Sequence, residues 1–156
     1  MNAPNSPDAP TLYAESSAIL NLLLGEPGSD EIAEALGNAG RVVISELTLA
    51  ETHRTLLRAR AAGKLNDEEL DQARGELEHA GLGWSLQRLD AESYLRLRRP
   101  FPKEPIRTLD ALHLAGALAA RREIPEIRLL SLDRRVRENA RELGFSLEPE
   151  AVSGSV

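Results

Sequence analysis

From Leu109 to Ala120 the chain reads Leu-Asp-Ala-Leu-His-Leu-Ala-Gly-Ala-Leu-Ala-Ala, with polar side chains only at Asp110 and His113. A helix that is apolar all round must be covered on most sides by the rest of the domain, so this segment predicts a central helix. A carboxylate near such a helix is costly to bury unless it is hydrogen-bonded, paired or bound to a metal. An ordinary explanation is available for Asp110. With Thr108 as N-cap it falls in the first turn, where the helix dipole and free N–H groups stabilise negative charge. Whether Asp110 does more depends on which other groups reach the same end of the domain.

A chain of 156 residues with 42% hydrophobic content fits one domain. The ends, residues 1–10 and 148–156, read as loose tails around a domain spanning 11–147. There is no cysteine, and His53, His79 and His113 are too scattered for a zinc motif. The opening segment has neither the basic start nor the apolar core of a signal peptide, and no stretch reaches membrane-spanning length. The expected location is the cytoplasm, with no membrane partner. Acidic residues number 25 against 19 basic, a net charge of −6, which argues against broad electrostatic binding of nucleic acid. A polyanion would need a local basic patch. One exists between Tyr94 and Arg107, where Arg96, Arg98, Arg99, Lys103 and Arg107 face the single Glu104, a local net of +4.

Strand and helix signals alternate along the chain. Leu12-Tyr13-Ala14 is a short apolar run, and Ser16-Ser17 offers a cap for a helix through Leu24. Gly25 to Gly28 makes a turn, and Ser29 caps a helix to about Leu36. Arg41 to Ser45, β-branched and without polar alternation, reads as a strand covered on both faces. Helices follow from about Glu46 to Ala62 and from a capping box at Asn66–Glu69. Trp84 to Leu89 predicts a strand, Asp90 caps a short helix, and a proline-rich connection leads to the central helix. Ile124 to Ser131 holds a further strand, Asp133 opens a helix closed by Gly144, and Phe145–Leu147 is a last short strand. With no hairpin signal, this order predicts an α/β fold, a three-layer α/β/α sandwich around a mainly parallel sheet.

Ligands of such sheets bind beyond the carboxyl ends of the strands. Glu15 follows the first strand and Asp133 the late one, while Glu51 and Asp110 lie early in helices, so all four can reach one rim. Each has an ordinary alternative as a loop, helix-face or capping residue. Together they would repel by roughly 4 kcal/mol per close pair at an effective dielectric of 20, so such a cluster persists where cations neutralise it or protons are taken up. Oxygen ligands suit Mg²⁺ or Mn²⁺, ions that bind phosphates and activate water. Phosphodiester hydrolysis is the chemistry that follows.

Four segments carry a family resemblance: Leu12-Tyr-Ala-Glu-Ser-Ser-Ala-Ile-Leu20, Ser45-Glu-Leu-Thr-Leu-Ala-Glu-Thr-His53, Arg107-Thr-Leu-Asp-Ala-Leu-His-Leu-Ala115 and Leu130-Ser-Leu-Asp-Arg-Arg-Val136. In order and content they resemble the acidic motifs of the PIN-domain ribonucleases, most nearly the VapC-like toxins of bacterial toxin–antitoxin pairs. The resemblance implies an α/β/α sandwich and Mg²⁺-dependent endoribonuclease activity. It further implies frequent homodimers and inhibition by a cognate antitoxin whose tail occupies the groove. Carried over by motif, the catalytic and metal-holding set is Glu15, Glu51, Asp110 and Asp133. The basic residues Arg54, Arg58, Arg98, Arg99, Lys103 and Arg107 are candidates for RNA phosphates. His113 is expected to be a satisfied, partly buried histidine rather than an RNA contact.

Glu15 departs from the family, which normally has aspartate there. An extra methylene moves the carboxylate outward by more than an ångström unless the backbone retreats, and Mg²⁺ tolerates little departure from octahedral geometry. The expectation is an attenuated enzyme that Glu15→Asp would accelerate. A degenerate PIN domain that binds RNA or protein without cutting is the alternative. A haloacid dehalogenase-like phosphatase is weaker still, since its Asp-x-Asp pattern is absent after the first strand, as is a phosphate-binding Gly-x-x-x-x-Gly-Lys-Ser/Thr loop. The apolar stretch Ala18–Leu24 predicts a leftover stripe suited to a dimer.

Overall fold

The computed structural model describes residues 9–152. The first eight residues of the expected leading tail, and residues 153–156 of the trailing one, lie outside that range. Five strands, β1 (Thr11–Ala14), β2 (Arg41–Ser45), β3 (Ser85–Gln87), β4 (Arg128–Leu130) and β5 (Leu147–Glu148), form one sheet in the order β3-β2-β1-β4-β5. Every pairing is parallel. Seven helices cover the sheet: α1 (Ser16–Leu23), α2 (Ser29–Asn38), α3 (Glu46–Ala61), α4 (Asp67–Gly81), α5 (Ala91–Arg96), α6 (Thr108–Glu123) and α7 (Arg134–Glu142). The expected α/β/α sandwich is the architecture found.

Alternate residues of β1 explain the layers. Tyr13 joins Val43, Leu114, Ala117, Leu129 and Val136 in one buried cluster. Its neighbours Leu12 and Ala14 join Ile19, Ile32, Val42, Ile44 and Leu130 in another on the opposite face, as the two-residue period of a strand requires. The central helix is α6, buried from Ala111 along Leu114, Ala115, Ala117 and Ala120. Gly116 lies in its middle because a Cβ there would overlap the Tyr13 hydroxyl and come within 3.2 Å of Leu89 Cδ2.

Several expectations shift in detail. Thr108 is the first residue of α6, with Arg107 in the capping position and no side-chain cap. The cap of α1 is Glu15, whose carboxylate accepts from Ser17 N, and the two serines expected to cap occupy the first turn. The last strand starts later than the sequence predicts, at Leu147. Glu148, assigned to the trailing tail, pairs with Leu130 in β5, and the Pro149 and Glu150 carbonyls accept hydrogen bonds from Arg137. Those bonds belong to the backbone, which composition does not display. On α1 and at its C-cap, Leu20, Leu22, Leu23 and Leu24 pack against the clusters beside α2, α3 and α4 and keep part of their surface exposed. Among the described residues, the large apolar side chains with most exposure are Leu82, Leu86, Tyr94, Leu95 and Leu109.

Candidate active site

Strand β1 connects onward to β2 on one side, while β4 connects to β5 on the other. The crevice between the carboxyl ends of β1 and β4 is therefore the switch point of the sheet, where ligands of this fold class bind. Glu15 directly follows β1, and its amide donates to Leu130 O at 2.9 Å, fastening it to the end of β4. Its side chain is almost fully buried. Oε1 accepts from Ser16 Oγ at 2.7 Å and Ser17 N at 3.2 Å. Oε2 accepts from Ser17 Oγ and from Ser131 Oγ, the latter at 2.8 Å.

Glu51, one and a half turns into α3, faces the same crevice and is partly exposed. Its Oε2 contacts His113 Nε2 and lies 2.8 Å from Ser16 Oγ. Burial pushes the Glu51 pKa up, but the hydrogen bond and charge of His113, the Ser16 hydroxyl and the Arg58 charge bring it below the usual value. His113 is fully buried, with Nε2 also 3.6 Å from Glu15 Oε1. Burial pulls the imidazole pKa down, yet the Glu51 hydrogen bond and the charges of Glu15, Glu51 and Asp110 raise it overall. The contact with Glu51 engages Nε2, while the buried Nδ1 has no hydrogen-bond partner among the described residues.

Asp110 occupies the third position of α6. Burial raises its pKa, Asp133 and Glu15 raise it further, and Arg107 and His113 oppose them. Its Oδ2 is buried without a hydrogen-bond partner among the described residues. Asp133 is the N-cap of α7, with Oδ1 accepting from Val136 N at 3.0 Å. Capping engages one carboxylate oxygen, so the ordinary role expected for Asp133 coexists with a place at the crevice. The structure brings Glu15 and Glu51 together through the Ser16 hydroxyl and beside His113. Asp133 joins this end of the sheet through its backbone amide, which donates to Ser17 Oγ and Ser131 Oγ. Asp110 and Asp133 stand outside the closest group of ligand atoms found among the described residues.

Proton counting shows what the cluster lacks. A serine hydroxyl carries one proton, whereas Ser16 Oγ is within 2.8 Å of oxygens from both Glu15 and Glu51. The hydroxyl can donate to only one of them, so the other contact calls for a proton on a carboxyl group or for a cation nearby. Glu15, Glu51 and His113 also present ligand atoms all within 4.8 Å of one another. Close carboxylate oxygens, and an Asp110 Oδ2 without a partner among the described residues, fit a divalent cation. Carboxylates with at most one imidazole suit Mg²⁺ or Mn²⁺.

His113, expected as a satisfied, partly buried histidine, is instead fully buried against Glu51, and Ser16, Ser17 and Ser131, the first two expected only to cap a helix, line the same crevice. The serines lie within two residues of Glu15 or Asp133 in sequence, which was the available signal. The basic residues divide. Arg96 stacks 4.0 Å over the Phe101 ring and donates to Arg99 O and Pro100 O, and Lys103 pairs with Glu142 at 3.6 Å. Arg54, Arg98, Arg99 and Arg107 are exposed.

The family profile of the PIN domain matches residues 12–143, and the chain belongs to this family. Within it the chain is VapC-like. It is 34% identical over 140 residues to Ribonuclease VapC46 of Mycobacterium tuberculosis (strain ATCC 25618 / H37Rv), an alignment covering 87% of this chain and 95% of that protein. It is 30% identical over 137 residues to Ribonuclease VapC35 of Mycobacterium tuberculosis (strain CDC 1551 / Oshkosh), covering 87% and 94% respectively.

Proposed function

We propose that this protein is a divalent-metal-dependent endoribonuclease, the toxin of a bacterial toxin–antitoxin pair, with Glu15, Glu51, Asp110 and Asp133 as its catalytic and metal-holding residues. The observation that carries the reading is the meeting of Glu15, Glu51 and His113 at the sheet's switch point, with ligand atoms all within 4.8 Å of one another. When bound, Mg²⁺ or Mn²⁺ supplies neutralisation of the phosphodiester and a water acidic enough to attack it. Asp110 and Asp133 repel one another and make the crevice attractive to a cation. His113, buried behind Glu51, fixes that side chain through its Nε2 contact.

The RNA backbone is assigned to Arg54, Arg98, Arg99 and Arg107 on the exposed rim, with Lys103 after release from Glu142. The further partners in this reading are a cognate antitoxin and a second copy of the chain, whose contact would use the exposed Leu82, Leu86, Tyr94, Leu95 and Leu109. The compartment is the cytoplasm, where RNA is found. Among the described residues no helix is long and apolar enough to cross a membrane.

Incubation of the full chain with mixed RNAs tests the reading. Cleavage is expected with Mn²⁺ and none with EDTA, and Asp110→Asn should lower the rate at least a hundredfold while keeping the fold. Undiminished cleavage in EDTA or by the Asn variant would remove the assignment. A second reading, a non-catalytic PIN domain, is favoured by one observation: both oxygens of Glu15 already lie in contact with the hydroxyls of Ser16, Ser17 and Ser131 and the amide of Ser17. Metal binding with no cleavage of any RNA would select it.

A further inference from the structure

Ser17 Oγ donates to Glu15 Oε2 and accepts from Leu132 N at 2.9 Å and Asp133 N at 3.1 Å. One donor and two acceptor sites exhaust what a hydroxyl can do. Ser131 Oγ donates to the same Oε2 at 2.8 Å and accepts from Asp133 N at 3.2 Å. The carboxylate that follows β1 and the backbone that carries Asp133 after β4 are therefore joined through two hydroxyls. The glutamate does not reach outward. Its side chain folds back to cap α1, and its two oxygens are held by groups from both sides of the crevice.

We propose that Ser17 and Ser131 are positioning residues that fit this site to glutamate, fixing Glu15 relative to Asp133, so that aspartate at position 15 weakens divalent-cation binding. This deepens the metal-site reading above and rests on it. Aspartate is shorter by one C–C bond, about 1.5 Å. From the same backbone it cannot keep both the bond to Ser17 N and the 2.8 Å bond to Ser131. A contact stretched by that much is no longer a hydrogen bond. Ser131 is fully buried, so its hydroxyl would lose a charged acceptor with no water to replace it. The consequence runs opposite to the expectation from side-chain length alone.

Calorimetric titration of the metal-free full chain with Mn²⁺ tests this, with thermal melts confirming that each variant folds. Wild type should bind, and Glu15→Asp and Ser131→Ala should each bind about tenfold or more weakly. Ser131→Thr, which keeps the hydroxyl, should restore binding to within about threefold of wild type. In a Glu15→Gln background, Ser131→Ala should cost little further, because the serine acts through the carboxylate. Mn²⁺ binding by Glu15→Asp as tight as wild type, or an equal loss from Ser131→Ala in both backgrounds, would overturn the proposal and leave the metal site standing. Absence of Mn²⁺ binding by wild type would overturn both.

Discussion

Asp110 is the carboxylate most at odds with its surroundings. Burial, then the charge of Asp133, raise its pKa against the pull of Arg107, so the folded protein holds its proton to higher pH than the unfolded chain does. Between the ordinary value near 3.9 and that raised value the native state binds more protons, and stability falls as pH rises. Above the window the full penalty is present, and below it there is none. In EDTA, Asp110→Asn should therefore melt higher than wild type at pH 7, on the order of 2 °C for a domain of this size. The gap should close as pH falls to about 3.5, where both side chains are neutral. A constant gap across pH, measured by circular dichroism, would mean that charge is not its source. Glu15, Asp110 and Asp133 were legible in the sequence because each adjoins an apolar run, and Glu51 became so through its motif. His113 was not, since a lone histidine in an apolar helix looks the same whether it fills space or braces a carboxylate. Nor were Ser17 and Ser131, because serines beside a cap are common and their bonding across the sheet is a tertiary fact.

The elements were readable where period and punctuation agreed. The β-branched run of β2, the capping box of α4 and the closing Gly144 stand where the pattern puts them. Boundaries moved where tertiary contacts override local preference. Glu15 caps α1 in place of the serines because Ser131 and Ser17 draw its carboxylate back into the crevice. Gly116 is the clearest constraint on α6. Glycine inside a helix costs up to about 1 kcal/mol relative to alanine, yet a Cβ here would overlap the Tyr13 hydroxyl. Overpacking of a core costs about 1–3 kcal/mol, which outweighs the gain in propensity. Gly116→Ala should destabilise by about 1–2 kcal/mol in urea unfolding. Adding Tyr13→Phe, which removes the overlapping oxygen, should recover part of the loss. A stabilised Gly116→Ala protein would show that β1 and α6 have room to separate.

At the scale of the whole molecule, the crevice is tied to the segment that follows β5 through the buried side chain of Arg137. Arg137 on α7 is 6% exposed. Its Nη1 donates to Ser131 O at 2.8 Å and Glu148 O at 3.4 Å, and its Nη2 to Pro149 O at 2.8 Å and Glu150 O at 3.1 Å. Burial, with the nearby Arg141, lowers its pKa, and backbone carbonyls satisfy the charge. A planar fork with several donors can bridge two chain segments in this way, whereas a lysine ammonium has three donors and a different geometry. The same guanidinium therefore supports the loop that carries Ser131 and Asp133 and holds the segment after β5 against it. Arg137→Lys should lower unfolding stability by about 1–3 kcal/mol, since buried carbonyls lose charged partners. Deleting residues 149–156 removes two of the four acceptors and should cost a similar amount. Because both changes break the same bonds, the double variant should lose less than the sum of the two, a coupling of about 0.5–3 kcal/mol in a urea-unfolding cycle. Strict additivity would mean that the segment after β5 stabilises the domain independently of Arg137, and that the crevice loop is held without it.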